Sequence, residues 1–291
     1  MHARRTLAGA PMIETLRALA VLLEPPRPEH APIAAALELP AVAGPDEHTA
    51  VLVFQAYPYA SVYLGGEGML GGDARDRVAG FWRALGGEPP SEPDHLSVLL
   101  AGLAALASEP RSVRAALFWE HVASWMPPYL ATLQRVGGGF YSAWANLAAT
   151  LLGELADELG PPFRLPLALR AAPALPLAPA GIDDLLTLLL VPARTGIIVV
   201  RDDLERAACD LDLALRVAER RFALRALLAQ SPSAVLAWLA REARAQADHL
   251  FALPPVTAWW AERARATAIW LDDLASQAEG ISDREPDRAR R

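Results

Sequence analysis

An all-α fold is predicted by three observations. Apolar residues recur at helical spacing along almost every long segment. Strand-like alternation is confined to one short run, and proline or glycine clusters fall where helices would end. With 53% hydrophobic and 21% charged residues among 291, the chain can bury a sizeable core and is globular rather than disordered.

The elements can be justified in order. A first helix is expected from Met12 to Leu23, stopped by Pro25-Pro26, since proline cannot continue a helix interior. Acidic residues that suit the positive end of a helix dipole open a second, from about Asp46 to Tyr57. Residues 58–72 read as a loop rich in proline and glycine. From Asp73 to Leu85, Val78, Phe81, Trp82 and Leu85 share one face. Ser91 is the expected cap of the next helix, with Asp94 in a near capping-box position and a stripe of Leu96, Leu99, Leu100, Leu103 and Leu106. Pro110 opens a helix on which Phe118, His121, Val122 and Trp125 align. A further helix runs from Phe140 to about Leu159.

Six prolines between Gly160 and Gly181 then mark a semi-extended connector. Helices resume at about Ile182–Leu190, Asp202–Leu213 and Leu215–Ala229. Ser231-Pro232 opens one to about Leu253, and Pro254-Pro255 another to about Gln277. The run Gly196-Ile197-Ile198-Val199-Val200 alone reads as a strand, and alone it cannot build a sheet. The predicted organisation is an N-terminal helical lobe over residues 12–160, a proline-rich hinge over 161–181, a smaller helical lobe over 182–279, and a charged, disordered tail over 280–291.

Composition excludes several functions. A net charge of −7 provides no basic field for nucleic acid, and suits a cationic partner. All 27 basic Lys/Arg residues are arginine, so neither a Schiff-base lysine nor a Walker A lysine exists. The lone Cys209 permits no internal disulfide, which fits a reducing, cytoplasmic setting. Arg4-Arg5-Thr6-Leu7 has the look of a twin-arginine export signal, but Glu14 and Arg17 interrupt the apolar stretch such a signal needs. The uncharged run Val136–Gly153 holds four glycines together with Ser142, Asn146 and Thr150, which favours a buried helix over a membrane span.

Candidate chemistry is sparse. Gly66-Glu67-Gly68-Met69-Leu70-Gly71 spells a dinucleotide fingerprint but lacks the strand–turn–helix setting that motif requires, and reads as a loop. The pairs Asp183-Asp184, Asp202-Asp203 and Asp272-Asp273 invite a magnesium-diphosphate site in a helical enzyme, yet none has a further aspartate four residues on. The six histidines form no metal-ligand pair, and no nucleophile–base pair can be read. Neither a catalytic residue, a metal site nor a cofactor is expected.

What the residues do carry is an ordered set of segments. Tyr59-Ala60-Ser61-Val62-Tyr63-Leu64 comes first, then Glu92-Pro93-Asp94-His95, then His121 with Trp125, then Phe140-Tyr141. This order resembles the TorD/DmsD-like family of cytoplasmic chaperones that mature molybdenum-containing redox enzymes. The likeness covers roughly residues 50–155, with a weaker echo in Pro192–Arg225; Asp94-His95 follows Pro93 directly, one residue closer than in some relatives. The resemblance implies an all-α, TorD-like fold and a system-specific chaperone. Its partners would be the catalytic subunit of a molybdopterin-dependent oxidoreductase and its N-terminal twin-arginine leader, withheld from export until cofactor insertion. It places Asp94 and His95 in the leader pocket.

Such a leader joins an arginine pair to an apolar segment, so its receptor needs an acidic rim beside an apolar groove. Glu92 and Asp94 are the expected rim; Tyr59, Tyr63 and Leu64 the groove wall; His95 a donor to peptide backbone; and Trp82, His121 and Trp125 further lining. A monomer and a lobe-exchanged dimer are both compatible with the connector. Two other functions are compatible with the sequence: a nitrate-reductase delta-type factor for a non-exported catalytic subunit, and, more distantly, a helical diphosphate enzyme using Asp202 and Asp203.

Overall fold

Helical periodicity dominates the architecture as well as the sequence. The computed structural model describes residues 12–176, 178–216 and 218–282, and every regular element among them is helical. One isolated antiparallel bridge, Tyr59 to His95, is the sole β-type pairing there. The segment Arg4–Leu7 lies outside the described residues, as does most of the expected tail; the last helix runs Val256–Ser282, past the predicted end at Gln277.

Two apolar clusters organise the packing. In the first, the helix Met12–Val21 packs chiefly on Leu96–Ala105, and Met126–Val136 on Gly138–Leu159. Trp144 donates its indole N–H to Leu19 O at 3.1 Å, tying the longest of these helices to the first. Tyr63 stacks on Trp125 with ring centroids 5.2 Å apart, and Tyr129 meets both rings. Such contacts add to the burial of large aromatic area. The second cluster lies among Ile182–Leu189, Arg201–Asp210, Arg220–Gln230 and the closely packed pair Pro232–Asp248 and Val256–Ser282.

The strand-like run does form extended backbone, but between the clusters rather than in a sheet. Ile197, Ile198, Val199 and Val200 are all buried, and their side chains alternate: Ile198 and Val200 join the first cluster, Ile197 and Val199 the second. That is the two-residue period of an extended chain with both faces covered. Because buried backbone groups need partners, side chains supply them. Gln246 accepts from Ile198 N–H at 2.9 Å and donates to Ile198 O at 3.1 Å. Arg220 donates to Val199 O, and Asp203 accepts from Val200 N–H.

Gly196, which opens this run, has φ +76, and a Cβ there would lie 2.5 Å from Ala264 N of the last helix. Only glycine fits that approach. Trp260 of the same helix reaches into the first cluster and donates to Ser124 O at 2.9 Å.

Several predicted elements differ in detail. Residues 58–72 are not all loop, for Ala60–Leu64 is helical. The helix after Pro93 starts at Leu96 and is capped by His95, not Ser91: His95 Nδ1 accepts from Ser97 N–H at 3.2 Å. Met126–Val136 is a separate helix, with Pro127-Pro128 in its first turn where missing N–H groups cost nothing. The proline-rich stretch contains a short helix, Leu167–Arg170. Thr49–Val53 and Leu117–Ala123 are π-helical, a rare geometry that shifts the register of the side chains on either side.

Candidate functional site

Pro58–Leu64 and Glu92–Val98, distant in sequence, are stitched together backbone to backbone. Leu96 N–H donates to Pro58 O at 2.7 Å, and Ala60 N–H to Asp94 O at 3.0 Å. The Asp94 carboxylate accepts from Ser61 N–H at 3.1 Å, satisfying a first-turn donor of the short helix Ala60–Leu64. Beside this junction opens a cleft of about 600 Å³. Leu23, Glu24 and Pro25, from the chain following the first helix, form one wall. Leu52 and Val53 of the π-helical segment form another, and Tyr59, Glu92 and His95 line the junction side.

The three junction residues act as a unit. Tyr59 donates its hydroxyl to Glu92 at 3.0 Å and meets the His95 ring edge-on, with centroids 4.7 Å apart. Burial pushes the Tyr59 phenol up to about 12, helped by that bond to Glu92, so it stays a donor at any physiological pH. His95 Nδ1 accepts from Ser97 N–H and lies 2.6 Å from the Ser97 hydroxyl. Its proton in the neutral ring therefore sits on Nε2. Burial holds His95 below the ordinary histidine range, against the opposing pull of Glu24, Glu92 and Asp94. His48, also on the cleft, is lowered chiefly by burial and bonds the Tyr141 hydroxyl at 2.8 Å.

Glu24 and Glu92 are exposed, and neither is in an ion pair among the described residues. Among the described residues, no arginine lines the cleft. Apolar side chains flank the acidic groups: Val53 and Leu70 line the opening and stay 43% and 58% exposed. A pocket with carboxylates, neutral histidines and uncovered apolar rim is suited to a segment that is both cationic and apolar.

The structure brings together only part of the expected site. Tyr59, Glu92 and His95 converge on the cleft, but Asp94 does not reach it: its carboxylate is 1% exposed and turned into the fold as a helix cap. Tyr63 and Leu64 are buried, Tyr63 against Trp125, and Trp125 is itself 0% exposed. None of the three is open to a peptide. Trp82 packs against Gly102. His121 lies beside Phe81, and burial lowers its pKa to about 4. Neither lines the cleft. Glu24, His48, Leu52 and Leu70 were missed by sequence reasoning. Glu24 had one available signal, since a carboxylate just before Pro25-Pro26 must lie at a helix end.

The aspartate pairs do not converge. Asp183 is held by Arg221 and Arg225, Asp203 by Arg135 and Arg206, and Asp272 by Arg244. No group of three or more potential metal-ligating side chains is found among the described residues. Among those residues, no helix is long and apolar enough to cross a membrane.

Residues 50–131 match the family model described as nitrate reductase delta subunit. That segment holds both halves of the cleft's junction, and the match bears out the likeness to redox-enzyme maturation chaperones carried by its motifs. No curated protein matches the chain.

Proposed function

We propose that this protein is an assembly chaperone for a molybdopterin-dependent oxidoreductase, and that its cleft binds the N-terminal leader of the catalytic subunit. The family match supports the chaperone role and the kind of partner. The observation that carries the peptide reading is the cleft itself, where Glu24 and Glu92 have no ion-pair partner among the described residues and stand beside uncovered Val53 and Leu70. Arginines of a leader would meet the two carboxylates, and its apolar segment would cover the rim. Tyr59, by holding Glu92 with its hydroxyl, orients that carboxylate. His95 offers Nε2–H to a peptide carbonyl. The contact holds the leader back until the cofactor is inserted. No bond is made or broken, and the cytoplasm is where such a client is assembled.

Calorimetric titration with a synthetic leader containing an arginine pair tests this. Glu92→Gln is expected to weaken binding about tenfold, as loss of one charge-assisted contact does. Equal affinity for wild type and E92Q would overturn the assignment of the cleft. A client tail without paired arginines that binds more tightly than a leader would instead support the non-exported delta-type role.

A further inference from the structure

We propose that the cleft also receives a second copy of this chain, through the loop of residues 161–170 of that copy, so that self-association and client binding compete for one site. The inference rests on reading the cleft as a receptor for a cationic and apolar segment. The loop, which opens Pro161-Pro162-Phe163-Arg164-Leu165-Pro166-Leu167, has that chemistry on one protrusion. Phe163 is fully exposed and Leu167 is 47% exposed. Arg164 and Arg170 are exposed, and neither is in an ion pair among the described residues. Glu24 and Glu92 supply the matching charge on the cleft, and the exposed Val53 and Leu70 the matching apolar surface.

The loop is held for presentation. At its start, Arg111 donates to Leu159 O, and the Trp119 indole N–H to Gly160 O at 3.0 Å. At its end, Glu120 accepts from Leu167 N–H at 2.6 Å, and Arg170 Nε donates to Leu165 O at 2.9 Å. Pro161, Pro162 and Pro166 fix φ between these anchors. A segment ordered in advance loses little freedom on docking. The carbonyls of Pro162, Phe163 and Arg164 accept no hydrogen bond among the described residues, which leaves them open to the Nε2–H of His95.

Pinned at both ends beside Trp119 and Glu120, the loop lines no part of its own chain's cleft. The occupant is therefore the loop of another copy. Its arginines meet the two carboxylates and Phe163 covers the apolar rim. One loop buries less than the roughly 1,200 Å² at which lasting interfaces begin, so the contact is weak. It forms when the protein is concentrated and idle, and gives way to a leader that binds more strongly.

Sedimentation equilibrium tests this with the full chain, a loop variant Phe163→Ser/Arg164→Ala and a cleft variant Glu24→Gln/Glu92→Gln. The substituted side chains are exposed, so the core is untouched, and unchanged melting curves verify it. Wild type is expected to gain mean mass as its concentration rises to about 1 mM, and each variant to associate at least tenfold more weakly. A mixture of the two variants is expected to associate more tightly than either alone, because the intact loop of one meets the intact cleft of the other. Wild type that stays monomeric at about 1 mM, a loop variant that associates like wild type, or a mixture no tighter than its components overturns the proposal.

A leader peptide separates the two readings. It is expected to dissolve the wild-type assembly, and to bind the loop variant several-fold more tightly than concentrated wild type. If it binds through Glu92 while wild type stays monomeric, the client reading stands and self-association falls. If wild type associates through Phe163 and Glu92 while no leader binds, self-association stands and the client reading falls.

Discussion

Asp94 and Glu92 are two residues apart, and their carboxylates do different work. Asp94 is sealed inside and accepts from Ser61 N–H, whereas Glu92 is exposed on the cleft and held by Tyr59. Replacing Asp94 with alanine should leave a buried donor unpaired and cost about 1–3 kcal/mol. Thermal melts would show it, with leader affinity unchanged in the folded fraction. Glu92→Gln should do the reverse, lowering affinity and leaving the melt in place. An Asp94→Ala protein that melts like wild type but loses the leader would return Asp94 to the binding surface. The sequence placed both residues in one turn. Which of them faces inward depends on the pairing of Leu96 with Pro58, a contact across 38 positions that no local pattern encodes.

At the scale of elements, what was legible followed from periodicity. The leucine stripe from Leu96 to Leu103 is buried as its spacing requires. The short helix Ala60–Leu64 was not legible, because the carboxylate that caps it arrives from Asp94. Likewise the alternating run after Gly196 announced an extended chain but not its partners, which are side chains rather than strands. Gly196→Ala should be severely destabilising, by more than about 2 kcal/mol, since it adds strain at positive φ to a clash with the last helix. Asp203 is fully buried and is gripped by Arg135 at 3.0 Å and Arg206 at 2.8 Å while capping Val200. Asp203→Ala should cost about 1–3 kcal/mol, because the buried Val200 N–H loses its acceptor while Arg135 and Arg206 stay partly open to solvent. Denaturant titration of both variants checks these values; a wild-type midpoint for either would refute the corresponding contact.

For the whole molecule, acid should loosen the fold by way of its histidines. His121 falls from an ordinary 6.5 to about 4 in the folded chain, chiefly by burial, and His48 and His95 are lowered for the same reason. Each is held neutral in the fold, so the unfolded chain binds protons more readily. The stability they confer is complete above about pH 6.5 and drains away as pH falls, for His121 until about pH 4, on the order of 3 kcal/mol at that site. His121→Phe should flatten the slope of melting temperature between those limits; an unchanged slope would exclude the residue as its source. Protease sensitivity belongs to the same scale. Phe163 is fully exposed in irregular chain within the proline-rich stretch, and chymotrypsin should cut there first. The two fragments should still elute together, because Trp260, Ile198 and Val200, all beyond the cut, are built into the first cluster.

The four residues Ile197–Val200 have parity. A helix that gains one residue turns its face by about 100° and can often be accommodated by sliding, but an extended chain that gains one hands every following side chain to the opposite side. One alanine inserted between Ile197 and Ile198 would deliver Ile198 and Val200 to the second cluster and Val199 to the first, and would strand Gln246 opposite the wrong peptide unit. Two inserted residues would restore the phase. This stretch can therefore change length only in even steps, whereas the surrounding helices and loops are free of that arithmetic.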